Sequence, residues 1–348
     1  MLSASKTHRT SSPATGSATR HATGWLGGGA KVVLTLAVLL ALTLASLAVG
    51  VSDVAWNTLW SDHEDDLVAQ VLMYSRVPRT AALVLAGSAM AVAGLLMQML
   101  ARNHFVEPST VGTVESATLG MLVCMLWAPD WPVPAKMAVA ALFALAGTGL
   151  FIGALSRIRL RSAWIVPLVG LILAGVIEAA TTFVAYQHDM IQSLRAWSNG
   201  DFSAIVDGRY EMLYLSLVVT VVACLAADRF TVAGLGEAFA TNLGLNYKAL
   251  VWQGLIVVAL VTACIVVTVG SIPFVGLIVP NVVRLLVGDN VRRSVLWVAA
   301  AGAGLTLACD LVGRLVIAPY EIPVGTVMGV VGSALFLAIL LRQRKREG

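Results

Sequence analysis

The stretch GSIPFVGLIVPNVVRLLVGDNVRR, residues Gly270–Arg293, sets glycines and prolines into sequence otherwise apolar enough for a membrane. Gly270, Pro273, Gly276 and Pro280 fall within eleven positions. Proline removes an amide donor and clashes with the turn before it. In lipid, a broken backbone persists only where protein or a water-filled cavity satisfies the freed groups. The stretch is therefore expected to be a short, interrupted helix packed against its neighbours. Arg284, Arg292 and Arg293 mark the end that faces the cytoplasm.

The rest of the chain agrees with a membrane setting. Of 348 residues, 58% are hydrophobic and 12% charged, with a mean hydropathy of +0.86. Soluble domains carry roughly a quarter charged residues. The class is all-α, a polytopic helical bundle; a membrane barrel would alternate polarity in short segments. The net charge of +4 is explained by cations beside helix ends and calls for no nucleic acid. Cys124, Cys224, Cys264 and Cys309 all lie in apolar runs without a C-x-x-C pair, so they read as packing residues and no metal site is expected.

Residues 1–29 lack periodicity and read as a disordered cytoplasmic tail, residues 30–341 as the membrane domain, and 342–348 as a basic cytoplasmic tail. The first span, Lys31–Val51, is longer than a signal peptide's apolar core and is expected to remain uncleaved. Further spans are expected near 80–100, 111–128, 136–155, 163–185, 211–227, 249–269, the broken segment, 294–315 and 325–341. Residues 186–210 read as a long polar connection. Ten spans leave both termini on one side, and charge supports the count. Only Arg76, Arg79, Lys136, Arg195, Arg209 and Arg314 of the 23 lysines and arginines fall outside, so the termini are expected in the cytoplasm.

Arg76, Arg79 and Arg314 read either as side chains snorkelling to headgroups or as a cationic rim awaiting an acidic partner. Glu115, Glu178 and Asp310 lie at membrane depth, which raises an ion-gradient-coupled secondary transporter as the alternative function. Asp310 also stands one turn from Arg314, where a structural pair is natural. The polar loop 228–248 carries two short amphipathic pieces separated by Asn242 and Gly244, suited to a connector or a docking surface. No G-x-x-x-x-G-K-[ST] occurs, so ATP would be bound by another subunit. No catalytic constellation such as H-E-x-x-H or G-x-S-x-G occurs either, and no catalytic residue is assigned.

The segments Arg76-Val77-Pro78-Arg79, AGSAMAVAGLLMQMLARNHFVEPSTVGT, GLGEAFATNLGL, GSIPFVGLIVPN and APYEIPVGTVMGVVGSALFLAIL, in this order, resemble the FecCD-type permeases. These are membrane subunits of type II ABC importers for ferric siderophores, haem and cobalamin. The resemblance implies ten helices, a pathway between two permease subunits, two cytoplasmic ATPases, an external substrate-binding protein and an inner-membrane location. It implies no cofactor on this chain, with ATP on the partner subunit. It assigns Arg76, Arg79 and Arg314 to binding-protein docking, and Gly236, Glu237, Ala238, Leu243 and Gly244 to a cytoplasmic coupling loop. Pro273, Gly276, Pro280, Asn281 and Glu115 become candidates for the signature segment or the pathway. Many members carry His where this chain has Asn281, and G-V-S-S-G where it has Gly112-Thr113-Val114-Glu115-Ser116. Both variants resemble the petrobactin- and anguibactin-type subgroup, which implies a ferric siderophore as cargo.

Overall fold

A computed structural model describes residues 28–49, 72–157, 165–206, 208, 210–288 and 290–347. Among these residues the chain is helical throughout, with no strand. In chain order the helices are α1 (Gly28–Ala48), α2 (Val77–Leu100), α3 (Thr113–Trp127), α4 (Val133–Arg157), α5 (Ile165–Gln187), α6 (Ile191–Ser198) and α7 (Leu213–Leu225). There follow α8 (Ala227–Leu235), α9 (Glu237–Asn242), α10 (Tyr247–Val269), α11 (Val275–Val287), α12 (Val291–Leu315) and α13 (Val324–Glu347).

Seven of these helices, α1, α2, α4, α5, α10, α12 and α13, are long and apolar enough to cross a bilayer, and α7 with α8 forms an eighth, bent by 62°. The apolar helices α3 and α11 have 15 and 13 residues, hence lengths of about 22 and about 20 Å at 1.5 Å per residue. That is short of a hydrocarbon core of roughly 30 Å. Each is preceded by irregular backbone, residues 101–112, with one 3-10 turn at Pro108–Thr110, before α3 and residues 270–274 before α11. With these two the span count reaches the ten expected from sequence.

α2 is the hub. It is 78% buried over its apolar window, against 6% for α1, and it packs on α7, α10, α11 and α12. Its inward face is built from small residues such as Ala82, Ala86, Ala89 and Ala93, which let helix backbones approach closely where apolar surface alone gives no drive to associate. Large apolar side chains such as Leu171, Phe183 and Leu225 face outward, as a bilayer solvent demands.

Several boundaries differ from the sequence reading. The connection 186–210 contains a helix, α6, because Leu194 buries itself with Leu122 and Ala185 while its polar positions stay outside. The polar loop breaks at Gly236, between α8 and α9, rather than at Asn242 and Gly244, which end α9. Gly28 and Gly29, counted with the N-terminal tail, already belong to α1. At the other terminus α13 continues through Glu347, taking in the segment set aside as a basic tail. The remainder of the N-terminal tail, together with Arg159, Arg161 and Arg209, lies outside the described residues.

Candidate functional site

The centre of the molecule is the break before α11. Phe274 sits at its N-terminus with φ +66°, a left-handed conformation uncommon for a bulky residue. Its amide donates to Glu107 Oε1 at 3.0 Å, and the same oxygen accepts from Ser109 Oγ at 2.6 Å. Glu107 is 1% exposed, so the return segment after α2 delivers a carboxylate to a helix N-terminus inside the bundle, where orphan amides and the helix dipole favour one. Ser271, on the approach to the break, donates its amide to the Trp197 carbonyl at 3.2 Å.

Pro280 creates a second vacancy. It has no N–H to give to the Gly276 carbonyl four residues earlier, and Gln98 Nε2 of α2 reaches that oxygen at 3.3 Å. Asn281 Nδ2 donates to the carbonyls of His104 at 2.8 Å and Leu277 at 2.7 Å, tying the return segment to α11. Gly276 and Gly94 meet backbone to backbone: a Cβ on Gly276 would lie 2.9 Å from Gly94 Cα and 3.2 Å from Glu107 Oε2. Gly276, Pro280 and Asn281 are buried and Pro273 is half-buried, so this signature segment braces α2 and the return segment. Glu107 and Gln98 were not singled out from sequence. A carboxylate immediately before Pro108, at the mouth of an apolar run, was the available signal.

At one end of the bundle the three arginines assemble, but inward. Arg76 is 7% exposed and donates to the carbonyls of Leu47 and Ala48 at the end of α1. Arg314 is 6% exposed and holds the carbonyls of Ser46 and Val49, and it pairs one turn back with Asp310. Arg79 Nη2 lies 2.7 Å from Asp310 Oδ1, and its Nη1 lies 2.7 Å from Glu321 Oε2. Asp310 therefore serves two guanidinium groups, as the i,i+4 spacing half foretold. Glu321, on the turn between α12 and α13, is the partner the sequence did not disclose.

Glu115 makes no hydrogen bond to α11 but reaches the approach to the break. With Glu178 and Arg195 it lines a cavity of about 390 Å3 between α3, α5 and α6, closed at one side by Ser271. Glu178 is exposed, in a band of α5 that it shares with Thr181 and Thr182 on the wall of the same cavity. A carboxylate in such a band marks a face turned to water or to protein rather than to lipid tails.

At the opposite end, α8 turns at the bend after α7 and packs on α2, α10 and α12, and α9 follows it. Gly236 separates them with φ +112°, and a Cβ there would come within 3.1 Å of Arg102 Nη1; the backbone conformation is what calls for glycine at this corner. Glu237, Ala238, Leu243 and Gly244 are exposed around it. Phe230 packs from α8 beside Gly254 of α10, and Arg292 of α12 lies 3.5 Å from Asp228 of α8. The short helices are thereby fastened to the spans at their roots and free at their tips. No group of three His, Cys, Asp or Glu residues that could hold a metal is found among the described residues.

Ten candidate spans among the described residues, two of them short and started inside the bundle, with a pair of short helices at one end, define a transport permease rather than an enzyme. The chain belongs to the FecCD transport family, whose model matches residues 38–342. It is 44% identical to a petrobactin import system permease protein of Bacillus subtilis, over 88% of this chain and 96% of that one. It is 39% identical to a ferric-anguibactin transport system permease protein of Vibrio anguillarum, over 87% and 96%. Its fold is shared with a metal-chelate type ABC transporter solved in an inward-facing conformation, at a TM-score of 0.75 and 24% identity, covering 90% of this chain and 99% of the other.

Proposed function

We propose that this chain is the membrane-spanning subunit of an ATP-driven importer that carries a ferric siderophore of the petrobactin or anguibactin class into the cytoplasm. The observation that carries this reading is the likeness to permeases of those two systems over nearly the whole chain. The end bearing α8 and α9 is then cytoplasmic, as are both termini, and the arginine end faces the binding protein. Two ATPase subunits work against the tips of α8 and α9, where exposed Glu237, Ala238, Leu243 and Gly244 surround the corner at Gly236. A second permease, identical or related, completes the pathway. The exposed carboxylate of Glu178 and the cavity it shares with Glu115 suit the face turned toward that pathway.

The geometry sets the ion-coupled alternative back. Asp310 is held by two arginines, and Glu115 and Glu178 open to one cavity, with no acidic side chain lining the large cavity at the other end except Glu237. Docking at Arg76, Arg79 and Arg314 remains part of the proposal in a modified form. Arg79 and Arg314 are already paired with carboxylates and Arg76 is held on carbonyls, so an acidic group of a binding protein would compete with Glu321 at Arg79 rather than meet a bare rim. Reconstitution with the partner ATPase and binding protein tests the whole: uptake of ferric siderophore should require ATP hydrolysis and no ion gradient. Uptake driven by a gradient without the ATPase would reject it.

A further inference from the structure

A further cavity belongs neither to the arginine end nor to the space beside Glu115. It opens between the ends of α2 and α4 and the starts of α5 and α10, beside the corner at Gly236, and has a volume of about 640 Å3. Its lining is graded along the helix axes. At the outer rim stand Arg102 and Lys248, with Tyr247; one turn deeper the wall is Ile152, Leu155 and Trp252. Lys248 and Trp252 are four residues apart on α10 and so share one face. Arg102 is exposed, in a left-handed turn, and held in place by Tyr247: its Nη2 lies 3.1 Å from the phenol oxygen and its guanidinium 5.7 Å from the ring centre. Lys248 is exposed and has no hydrogen-bond or ion-pair partner among the described residues. Glu237 at the far rim leaves one net positive charge.

We infer that this cavity is a binding site for an anionic phospholipid, its phosphodiester held between Arg102 and Lys248 and one acyl chain laid along Ile152, Leu155 and Trp252. Three features select that ligand. The cations stand at the ends of spans, with apolar side chains one turn further along α4 and α10, so the site matches an amphiphile rather than a free anion. Trp252 is 54% exposed, as interfacial tryptophans are where an amphipathic ring meets the headgroup layer. The guanidinium is pre-positioned by Tyr247, so little side-chain freedom is lost when a phosphate arrives. Basic pockets between spans are the usual lodging of such headgroups. Because Arg102 also abuts Gly236, an occupied site would press on the root of the α8–α9 corner.

The test uses the full chain in bilayer discs of phosphatidylcholine containing a minor fraction of phosphatidylglycerol, extracted gently and analysed for retained lipid by native mass spectrometry. The chain should keep phosphatidylglycerol in preference to phosphatidylcholine. Each cation near the surface contributes about a fivefold preference, so Arg102→Gln with Lys248→Gln should reduce retention about 25-fold. Ile152→Trp, which fills the acyl slot without touching charge, should reduce it as well. Arg292→Gln, which removes an exposed cation elsewhere, should not. Equal retention by the double variant, equal retention of phosphatidylcholine, or displacement of the lipid by inorganic phosphate at matched concentration would each overturn the inference, the last by showing a simple anion site.

Discussion

Arg79 Nη2 and Asp310 Oδ1 lie 2.7 Å apart although 231 positions separate the two residues in sequence. The carboxylate is wholly buried and the arginine nearly so, and Arg314 closes the same carboxylate from the other side. This junction joins the start of α2 to the end of α12, and Arg314 ties both to the end of α1. Three spans are locked at one end by a single acidic side chain.

Removing that side chain should be severe. Asp310→Asn leaves two buried guanidinium groups without their shared counter-ion, and breaking a buried pair in this way costs about 3–5 kcal/mol. The thermal unfolding midpoint of the purified variant should fall well below that of Glu321→Gln, whose carboxylate is partly exposed. An equal fall for the two would show that Asp310 carries no special share of the junction.

Glu321 offers a different measurement. It holds Arg79 Nη1 at 2.7 Å with 22% of its own side chain exposed, where an incoming carboxylate could replace it. Glu321→Gln should therefore strengthen docking of the binding protein severalfold at low salt, with the gain fading as salt is raised. Arg79→Glu should abolish docking. Unchanged affinity in both variants would remove this arginine from the docking surface.

Glu107 and Phe274 make the break before α11 tolerable. Glu107→Ala would strand the Phe274 amide beside a buried site, at a cost of about 1–3 kcal/mol. Glu107→Gln keeps an acceptor oxygen and should recover most of the loss. Thermal unfolding of both variants separates hydrogen bonding from charge: equal damage would mean that the negative charge at the helix start matters more than the acceptor.

Gly276→Ala probes the close approach to Gly94. The added methyl would sit 2.9 Å from Gly94 Cα, with backbone on one side and Glu107 on the other, so nothing flexible can yield. Overpacking of this kind costs about 1–3 kcal/mol. Gly329→Ala, where a Cβ meets nothing within 4 Å, is the matched control and should be neutral within error.

The corner at Gly236 ties structure to transport. Any side chain there must adopt φ +112° and crowd Arg102, so Gly236→Val should displace α9 without preventing insertion. In liposomes holding the assembled importer, uptake should fall at least about tenfold while ATP hydrolysis continues, the mark of uncoupling. Uptake that stays in proportion to hydrolysis would deny α8 and α9 their transmitting role. Glu237→Arg should uncouple in the same way.

Sequence alone determined a great deal. Hydropathy marked the spans because a bilayer forces every stretch that crosses it to be apolar and hydrogen-bonded within itself. The prolines and glycines of Gly270–Arg293 revealed the interrupted helix for the same reason, and Asp310 with Arg314 was legible because four residues make one turn. The tertiary structure decided which distant groups repair the breaks. Glu107 for Phe274, Gln98 for the carbonyl that Pro280 abandons, and Arg79 for Asp310 all join residues on different spans, and helical periodicity carries no information about which helix becomes whose neighbour. It also turned the three arginines inward. A cation at a helix end looks the same in sequence whether it faces water or a buried carboxylate, and only packing decides which partner desolvates it.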